Sequence, residues 1–253
     1  MKILNKELKL AFVLLGLCLY IAFFVADFTH AEPAGADVTI VTSSAYSSTP
    51  GNNDSLGGRI ITMTLDVTQQ NTAWKAYVGN ITGVLVLRNS DGWSIFEWAM
   101  NSSTMSGNVF VSRASSVTWG NIKCANSTIV DSEQTNFGMA TADTDSINST
   151  FNYTIHKEMN GSITPITTST CPSVATWING SAQVVETNTT FQEILLYDNS
   201  NLVYATFITQ DTGGYDNNAS AGGANVTYDF QLIVAENRTA IAGTTYYFYA
   251  DIS

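Results

Sequence analysis

The sequence predicts an all-β protein, a β-sandwich of the Ig-like or jelly-roll-like type, preceded by an N-terminal hydrophobic signal or anchor helix. Many short runs of β-branched and aromatic residues alternate with turns rich in Gly, Asn and Asp. No long helical period and no helix-capping pattern follows residue 36. The expected organisation is an export segment (1–36), an N-terminal strand and loop (37–58) and one β-sandwich domain (59–253).

The first 36 residues have the parts of a secretory signal peptide. Lys2, Lys6 and Lys9 precede residues 10–26, which are apolar almost throughout, and small residues follow. Cleavage fits after Ala31 or after Ala36, and the Ala-Gly-Ala sequence that ends at Ala36 fits the cleavage rule better. An uncleaved anchor is the alternative, because such a run nearly spans a bilayer, and residues 10–26 would then be the membrane contact. Either reading predicts an extracellular, cell-surface location.

Two segments after the export signal have strand character. Residues 38–47 are rich in β-branched residues and predict a first strand. A Pro-, Asn- and Gly-containing loop at residues 49–58 separates them from residues 59–69, which alternate in polarity. The apolar residues of the second segment approximate one face of a strand: Ile60, Met63, Leu65 and Val67.

Residues 74–100 hold three of the five tryptophans and a continuous apolar run. The pattern predicts a strand and then a β-hairpin with its turn at residues 89–92. Both faces of residues 84–87 are apolar, so this strand is expected to lie between two layers. On the next strand Ser94, Phe96 and Trp98 share one face. We expect the rest of the domain to pack against this stretch.

The remaining sequence divides into an irregular middle and a regular end. Residues 101–190 are rich in Ser, Thr and Asn and predict short strands with long loops. Residues 191–208 predict a second hairpin, and residues 226–235 and 244–252 predict two closing strands. The last of these is aromatic on both faces, so we expect it to be central in its sheet.

Acceptors for N-linked glycans are the strongest motif in the chain. The N-x-S/T pattern, with x not proline, occurs twelve times, which together with a signal peptide predicts N-glycosylation. Glycans would supply hydration that charges do not, because only 12% of the residues are charged. The acceptors are Asn53, Asn80, Asn101, Asn126, Asn148, Asn152, Asn160, Asn179, Asn188, Asn218, Asn225 and Asn237.

Two cysteines remain once Cys18 leaves with the signal peptide. In an oxidising compartment an even pair predicts a disulfide between Cys124 and Cys171, with two buried thiols as the alternative. No metal or cofactor site is expected, because the cysteines lack C-x-x-C spacing and His156 is the one histidine after residue 36. No catalytic motif surrounds His156, so an exposed or locally hydrogen-bonded histidine is expected.

Charge and composition limit the classes of partner and reaction. The formal net charge is −11, and the few cations form no cluster, so neither nucleic acid nor an anionic membrane surface is an expected partner. The one carboxylate pair to weigh for glycoside hydrolysis is Glu97 with Glu193, one from each hairpin. Loop aspartates are candidate calcium ligands, against plain polar turns: Asp143, Asp145, Asp211 and Asp216.

Several stretches give the chain a resemblance to a group of proteins. They are WKAYVGNITG with the hairpin after it, then LLYD with VYATFI, then YDFQLIV and YYFYADI. In these stretches the chain resembles exported archaeal surface proteins of unassigned function. The resemblance covers residues 74–100 and 191–252. It implies an archaeal envelope origin with dense N-glycosylation, and it brings no catalytic residues with it.

The sequence therefore predicts a secreted, non-enzymatic glycoprotein of an archaeal cell surface. The first hypothesis is a subunit of an extracellular filament or surface layer that associates with itself or other surface proteins by strand exchange. Residues 37–47 are the candidate donor strand. The second hypothesis is a glycan-binding or adhesion module, although tryptophans in apolar strands are more often core. The third is a secreted glycoside hydrolase that uses Glu97 and Glu193.

Overall fold

The computed structural model describes residues 32–41, 43, 45, 49, 50, 52, 57, 60–100, 105–178, 180–209, 228–238 and 243–252. The predicted signal or anchor helix lies outside the described residues. Within this part of the chain, no helix is both long and apolar enough to cross a membrane. Most regular structure is β-strand in sheets, with few helices, in agreement with the all-β prediction.

Eleven strands occur in the described residues. They are β1 (Ala34–Gly35), β2 (Trp74–Gly79), β3 (Val84–Arg88), β4 (Ser94–Ala99), β5 (Gly107–Ser112), β6 (Lys123–Cys124), β7 (Ser173–Ala175), β8 (Gln192–Tyr197), β9 (Leu202–Phe207), β10 (Phe230–Ala235) and β11 (Tyr247–Ile252).

The principal sheet is antiparallel and has the order β1-β11-β5-β9-β8-β6, with β7 also paired to β8. The predicted second hairpin is present as β8 and β9. The last strand, β11, lies between β1 and β5, so it is internal as expected. However, β1 pairs with only two of its residues.

Two further strand pairs lie apart from the principal sheet. β2 pairs with β10, with Trp74 opposite Ala235, and this pair packs over one face of the principal sheet. There, Leu232 and Val234 of β10 join Leu195 in one buried cluster. The other pair is the predicted hairpin of β3 and β4.

Both faces of the principal sheet are covered, which explains why its strands are apolar on both sides. In β9, Tyr204 joins the core under β10, whereas Val203 and Ala205 join a second core on the opposite face. The loops between residues 117 and 171 supply most of the cover of that second core. Full burial of each large apolar side chain contributes roughly 1.5–3 kcal/mol, so these two cores dominate the stability of the fold.

Helices occur where the sequence predicted only strands and loops. They are α1 (Ser127–Asn136) and α2 (Ile147–Thr150), with a short 3₁₀ turn at Trp119–Asn121. Asn126 caps α1, because its side-chain oxygen accepts a hydrogen bond from the N–H of Ile129. The prediction that no helix cap follows residue 36 is therefore wrong. Of the ten residues of α1, Val130 is the one buried aliphatic residue, so its apolar stripe was too narrow to detect.

The chain begins its described part by pairing with the principal sheet. Pro33 is buried, β1 pairs with β11, and the N–H of Ala36 donates to the carbonyl of Phe248 at 2.9 Å. Cleavage after Ala36, the better of the two predicted sites, would remove this strand. Cleavage after Ala31 would leave it in place.

A disulfide joins the two short strands that share one edge of β8. β6 pairs with the end of β8, and β7 pairs with its beginning. Cys124 of β6 and Cys171, just before β7, form the predicted disulfide, with their Cα atoms 4.8 Å apart. Strands of two and three residues contribute few ladder hydrogen bonds, and the covalent link adds to what holds them along this edge.

Replacing both Cys124 and Cys171 with alanine is expected to lower the free energy of unfolding by roughly 4 kcal/mol in the chain-entropy estimate, because the bond spans a separation of 47 residues. Urea unfolding followed by tryptophan fluorescence measures the change. Adding reductant should destabilise the wild type by a similar amount and leave the double variant unaffected. Equal stability of the two proteins would contradict the assigned role.

Candidate functional site

The hairpin of β3 and β4 presents an exposed apolar surface. On one face Leu85 lies opposite Trp98, and Leu87 lies opposite Phe96. The exposed fractions of these four side chains run from 42% to 55%. The Phe96 and Trp98 rings contact each other, with centroids 4.7 Å apart. We call these four side chains the hairpin face.

The prediction that residues 84–87 lie between two layers is wrong. Among the described elements, β3 and β4 make substantial contact only with each other. A two-stranded hairpin is at best marginally stable in water, and exposed apolar patches of this kind mark association surfaces. The alternation in the sequence therefore correctly identified a surface that needs cover, but the described chain does not provide that cover.

A second exposed apolar feature precedes β2. Residues 60–68 belong to no strand, although the sequence predicted one, and among the described residues none forms a backbone hydrogen bond with them. We call residues 60–68 the unpaired segment. Four of its apolar side chains occupy every second position and are between 45% and 79% exposed: Ile61, Met63, Leu65 and Val67.

The predicted donor strand, residues 37–47, is only partly described. Residues 37–41, 43 and 45 are exposed and belong to no strand. Val38, Ile40 and Val41 are exposed in this stretch, and the alternation of apolar residues covers only Val38 and Ile40, against four positions in the unpaired segment. A one-sided strand is therefore less well encoded here than in the unpaired segment.

The five tryptophans divide between the interior and the surface. Trp119 is buried against two other aromatic rings. Trp74 is half-buried beside Phe151, and its indole N–H donates to the carbonyl of Asp145 at 2.8 Å. The other three are between 47% and 74% exposed, which departs from the expectation that tryptophans here are core: Trp93, Trp98 and Trp177.

Seven of the twelve predicted glycan acceptors lie in the described residues. Those that are exposed are Asn80, Asn126, Asn152, Asn160 and Asn188. Asn148 and Asn237 are half-buried, and the amide nitrogen of Asn148 donates to Asp131 at 3.0 Å. The acceptors outside the described residues are Asn53, Asn101, Asn179, Asn218 and Asn225.

The two candidate catalytic carboxylates have opposite environments. Glu97 lies on the exposed hairpin and accepts a hydrogen bond from the Ser94 hydroxyl at 2.7 Å. Glu193 is fully buried, and one of its oxygens accepts from the N–H of Ile233 at 2.8 Å. Its other oxygen has no hydrogen-bond partner among the described residues. Burial raises the pKa of Glu193 well above its usual range, and the two carboxyl groups do not share a solvent-accessible cleft.

Glu193 instead helps to close the free edge of β10. Ile233 and Ala235 occupy non-hydrogen-bonded positions of the ladder with β2, so their backbone groups point away from that strand. Glu193 accepts from Ile233, the Tyr204 hydroxyl lies 3.4 Å from the N–H of Ala235, and the Tyr246 hydroxyl donates to its carbonyl at 2.6 Å. Side chains thus occupy the positions that a further strand would need.

His156 is buried and locally hydrogen-bonded. Its Nε2 accepts from the N–H groups of Thr170 and Cys171, each at 2.9 Å. The proton of the neutral ring is therefore on Nδ1, which donates to the carbonyl of Lys157 at 2.7 Å. Burial lowers the pKa of His156. Of the two roles the sequence left open, the locally bonded one is observed, and it anchors the backbone next to the disulfide.

Two of the candidate calcium ligands form ion pairs. Arg238 lies 3.1 Å from Asp143 and also contacts Asp145, which accepts a further bond from Asn71 at 2.9 Å. No group of three or more His, Cys, Asp or Glu side chains in the described part of the chain is arranged to hold a metal ion. Asp211 and Asp216 lie outside the described residues.

Comparison with family models, with curated proteins and with solved structures finds no match for this chain. Two surfaces of the molecule, the hairpin face and the unpaired segment, are both apolar and both uncovered within the described residues. Aliphatic and aromatic surfaces of this kind suit association with another surface.

Glycopeptide mass spectrometry is expected to find glycans on Asn152 and Asn188 and to find little or none on Asn148. The first two are exposed in irregular segments, whereas Asn148 lies in α2 with its amide nitrogen bonded to Asp131. The measurement uses protein isolated from its native cells. Occupancy of Asn148 equal to that of Asn188 would show that local burial does not control modification.

Acidification is expected to destabilise the protein through His156. Its folded-state pKa is lowered, so its contribution is fully present above the unfolded pKa of about 6.5 and is lost as the pH falls below that value. Protonation of Nε2 would replace an acceptor of two N–H groups with a donor. The thermal unfolding midpoint of the wild type should fall as the pH is lowered below about 6.5, and the midpoint of His156→Gln should depend less on pH in that range. Equal slopes would contradict this.

Proposed function

We propose that this protein is a secreted, N-glycosylated structural protein of an archaeal cell surface, built on an Ig-like or jelly-roll-like β-sandwich. Its copies assemble into an extracellular filament or a surface layer by β-strand exchange. The hairpin face supports this proposal best, because it leaves apolar side chains exposed on a chain whose principal sheet is covered on both faces. The disulfide and the exposed glycan acceptors are consistent with an extracellular location.

The energetics favour strand exchange over simple face-to-face contact. The four side chains of the hairpin face are about half exposed, so covering them would contribute on the order of 3–6 kcal/mol. Association costs roughly 4–15 kcal/mol in lost freedom, so this surface alone does not support a stable contact. A strand added to a sheet edge supplies ladder hydrogen bonds and a second apolar face as well, and these offset the remaining free-energy cost of association.

A glycan-binding or adhesion module is the second candidate. The exposure of Trp93 (74%) and Trp177 (62%) favours it, because open indole faces stack on sugar rings. No comparable observation favours a glycoside hydrolase, since Glu193 is buried and is hydrogen-bonded within the core.

Electron microscopy of native material from the cell surface tests the proposed function. Filaments or a lattice that antibodies against this chain label along their length are the expected result. Isolated labelled particles in every preparation would overturn the proposal. Binding to a glycan array that is lost in Trp93→Ala or Trp177→Ala, without any polymer, would favour the adhesion module instead.

A further inference from the structure

We infer that residues 60–68 of one copy pair with the β3–β4 hairpin of a second copy and form the third strand of a sheet shared between them. This inference rests on the proposed function and names its donor and acceptor. It assigns the donor role to the unpaired segment in place of residues 37–47.

The donor segment has the pattern of a strand that is buried on one face. Apolar side chains occupy positions 61, 63, 65 and 67, while threonines and one aspartate occupy the positions between them. Ile60, at the first position, falls on the opposite face from these four, contrary to the grouping predicted from the sequence, and is fully exposed. Met63, Leu65 and Val67 are each more than half exposed, and the segment has no ladder partner among the described residues. β-Branched residues make up more than half of it and favour the extended backbone of a strand. The segment thus has a strand's sequence but no sheet.

The acceptor has a sheet that lacks a strand. β3 and β4 pair with each other, and within the described chain no backbone group from elsewhere bonds to their outer edges. The hairpin face carries no charged side chain, and neither do the apolar positions of the donor. A third strand with its apolar side aligned to this face would extend it from four large side chains to eight. Three strands with an apolar face are what a stable small sheet requires.

Donor and acceptor leave opposite ends of β2. The unpaired segment enters β2 through Ala73, which is buried and whose carbonyl accepts from the N–H of Glu236 at 2.7 Å. The hairpin follows the other end of β2, after Gly79. A strand of the length of β2 spans about 20 Å and separates the donor from the acceptor. A copy whose donor has bound one neighbour therefore still presents its acceptor hairpin to another. Head-to-tail contacts of this type build open chains wherever successive copies do not close into a ring, which fits a filament.

Sedimentation velocity of the purified glycosylated protein tests the inference with two pairs of exposed variants. Leu65→Asp places a charge on the apolar side of the donor, and Thr64→Asp places the same charge on its opposite side. Leu85→Asp and Val84→Asp are the matched pair in the acceptor, because their side chains lie on opposite faces of β3. Leu65→Asp and Leu85→Asp should be monomeric at concentrations where the wild type assembles. Thr64→Asp should assemble like the wild type. Val84→Asp should weaken assembly less than Leu85→Asp. Equal unfolding midpoints confirm that all four variants are folded.

Mixing the two defective variants distinguishes exchange between copies from pairing within one chain. Leu65→Asp keeps an intact acceptor and Leu85→Asp keeps an intact donor, so an equimolar mixture should form particles of two chains and no longer polymers. A mixture that stays monomeric, assembly of Leu65→Asp at the wild-type level, or a wild type that is monomeric at every concentration would each overturn the inference.

The outcomes separate this inference from the proposed function. Filaments on the native surface that persist with Leu65→Asp and dissolve when residues 37–47 are deleted would retain the function and reject this donor. Complementation in the mixture, without filaments on the native surface, would retain the donor and acceptor and reject the filament.

Discussion

The fold depends on burial of both faces of the sheet formed by β5, β8 and β9. Each of these strands carries apolar side chains on both faces, so they are stable only if two separate sets of elements cover them. The β2–β10 pair and the helices cover one face, and the disulfide-linked loops cover the other. Each covering element is too small to be stable alone, so the central sheet and its covers must form together.

The sheet edges show how the molecule limits pairing with other chains. Side chains of Glu193, Tyr204 and Tyr246 form hydrogen bonds with the backbone groups of β10 that point away from β2. The short strands β6 and β7 pair with one edge of β8, and β1 pairs with two residues at the outer edge of β11. Burying a carboxylic acid to satisfy one backbone N–H costs free energy, which argues that closing this edge matters to the molecule. The hairpin edges differ, because no such device protects them among the described residues.

Local patterns predicted the strands well because alternation is a property of consecutive residues. Both hairpins, β2 and β11 occur close to their predicted positions. The burial of residues 84–87 was predicted wrongly, because an apolar pattern shows that a strand needs cover but not whether its own chain supplies it. The same limit applies to the unpaired segment, whose one-sided pattern was assigned to a strand of the domain. The polar surface of α1 leaves little periodic signal, and the N-x-S/T motif at Asn126 indicates a glycan acceptor more strongly than a helix cap.

The roles of isolated polar residues could not be inferred from sequence spacing. His156 and Glu193 are far in sequence from some of their backbone partners, since Glu193 bonds to a residue 40 positions away. Only the assembled sheet brings such groups together. The cysteine pair was predictable because only two cysteines follow the predicted signal peptide, so one pairing was possible.

The pairing of β1 with β11 also sets an order of folding. Ala34 lies opposite Ala250, so this edge joins the earliest described residues to some of the last. During synthesis the hairpin emerges long before β8 and β9, and β1 has no partner until residues 248–250 are made. Contacts between such distant residues form slowly, because a long loop must close before the contacts stabilise the chain. Each newly made chain therefore passes through an interval in which apolar strands are exposed and the sheet edge is still open.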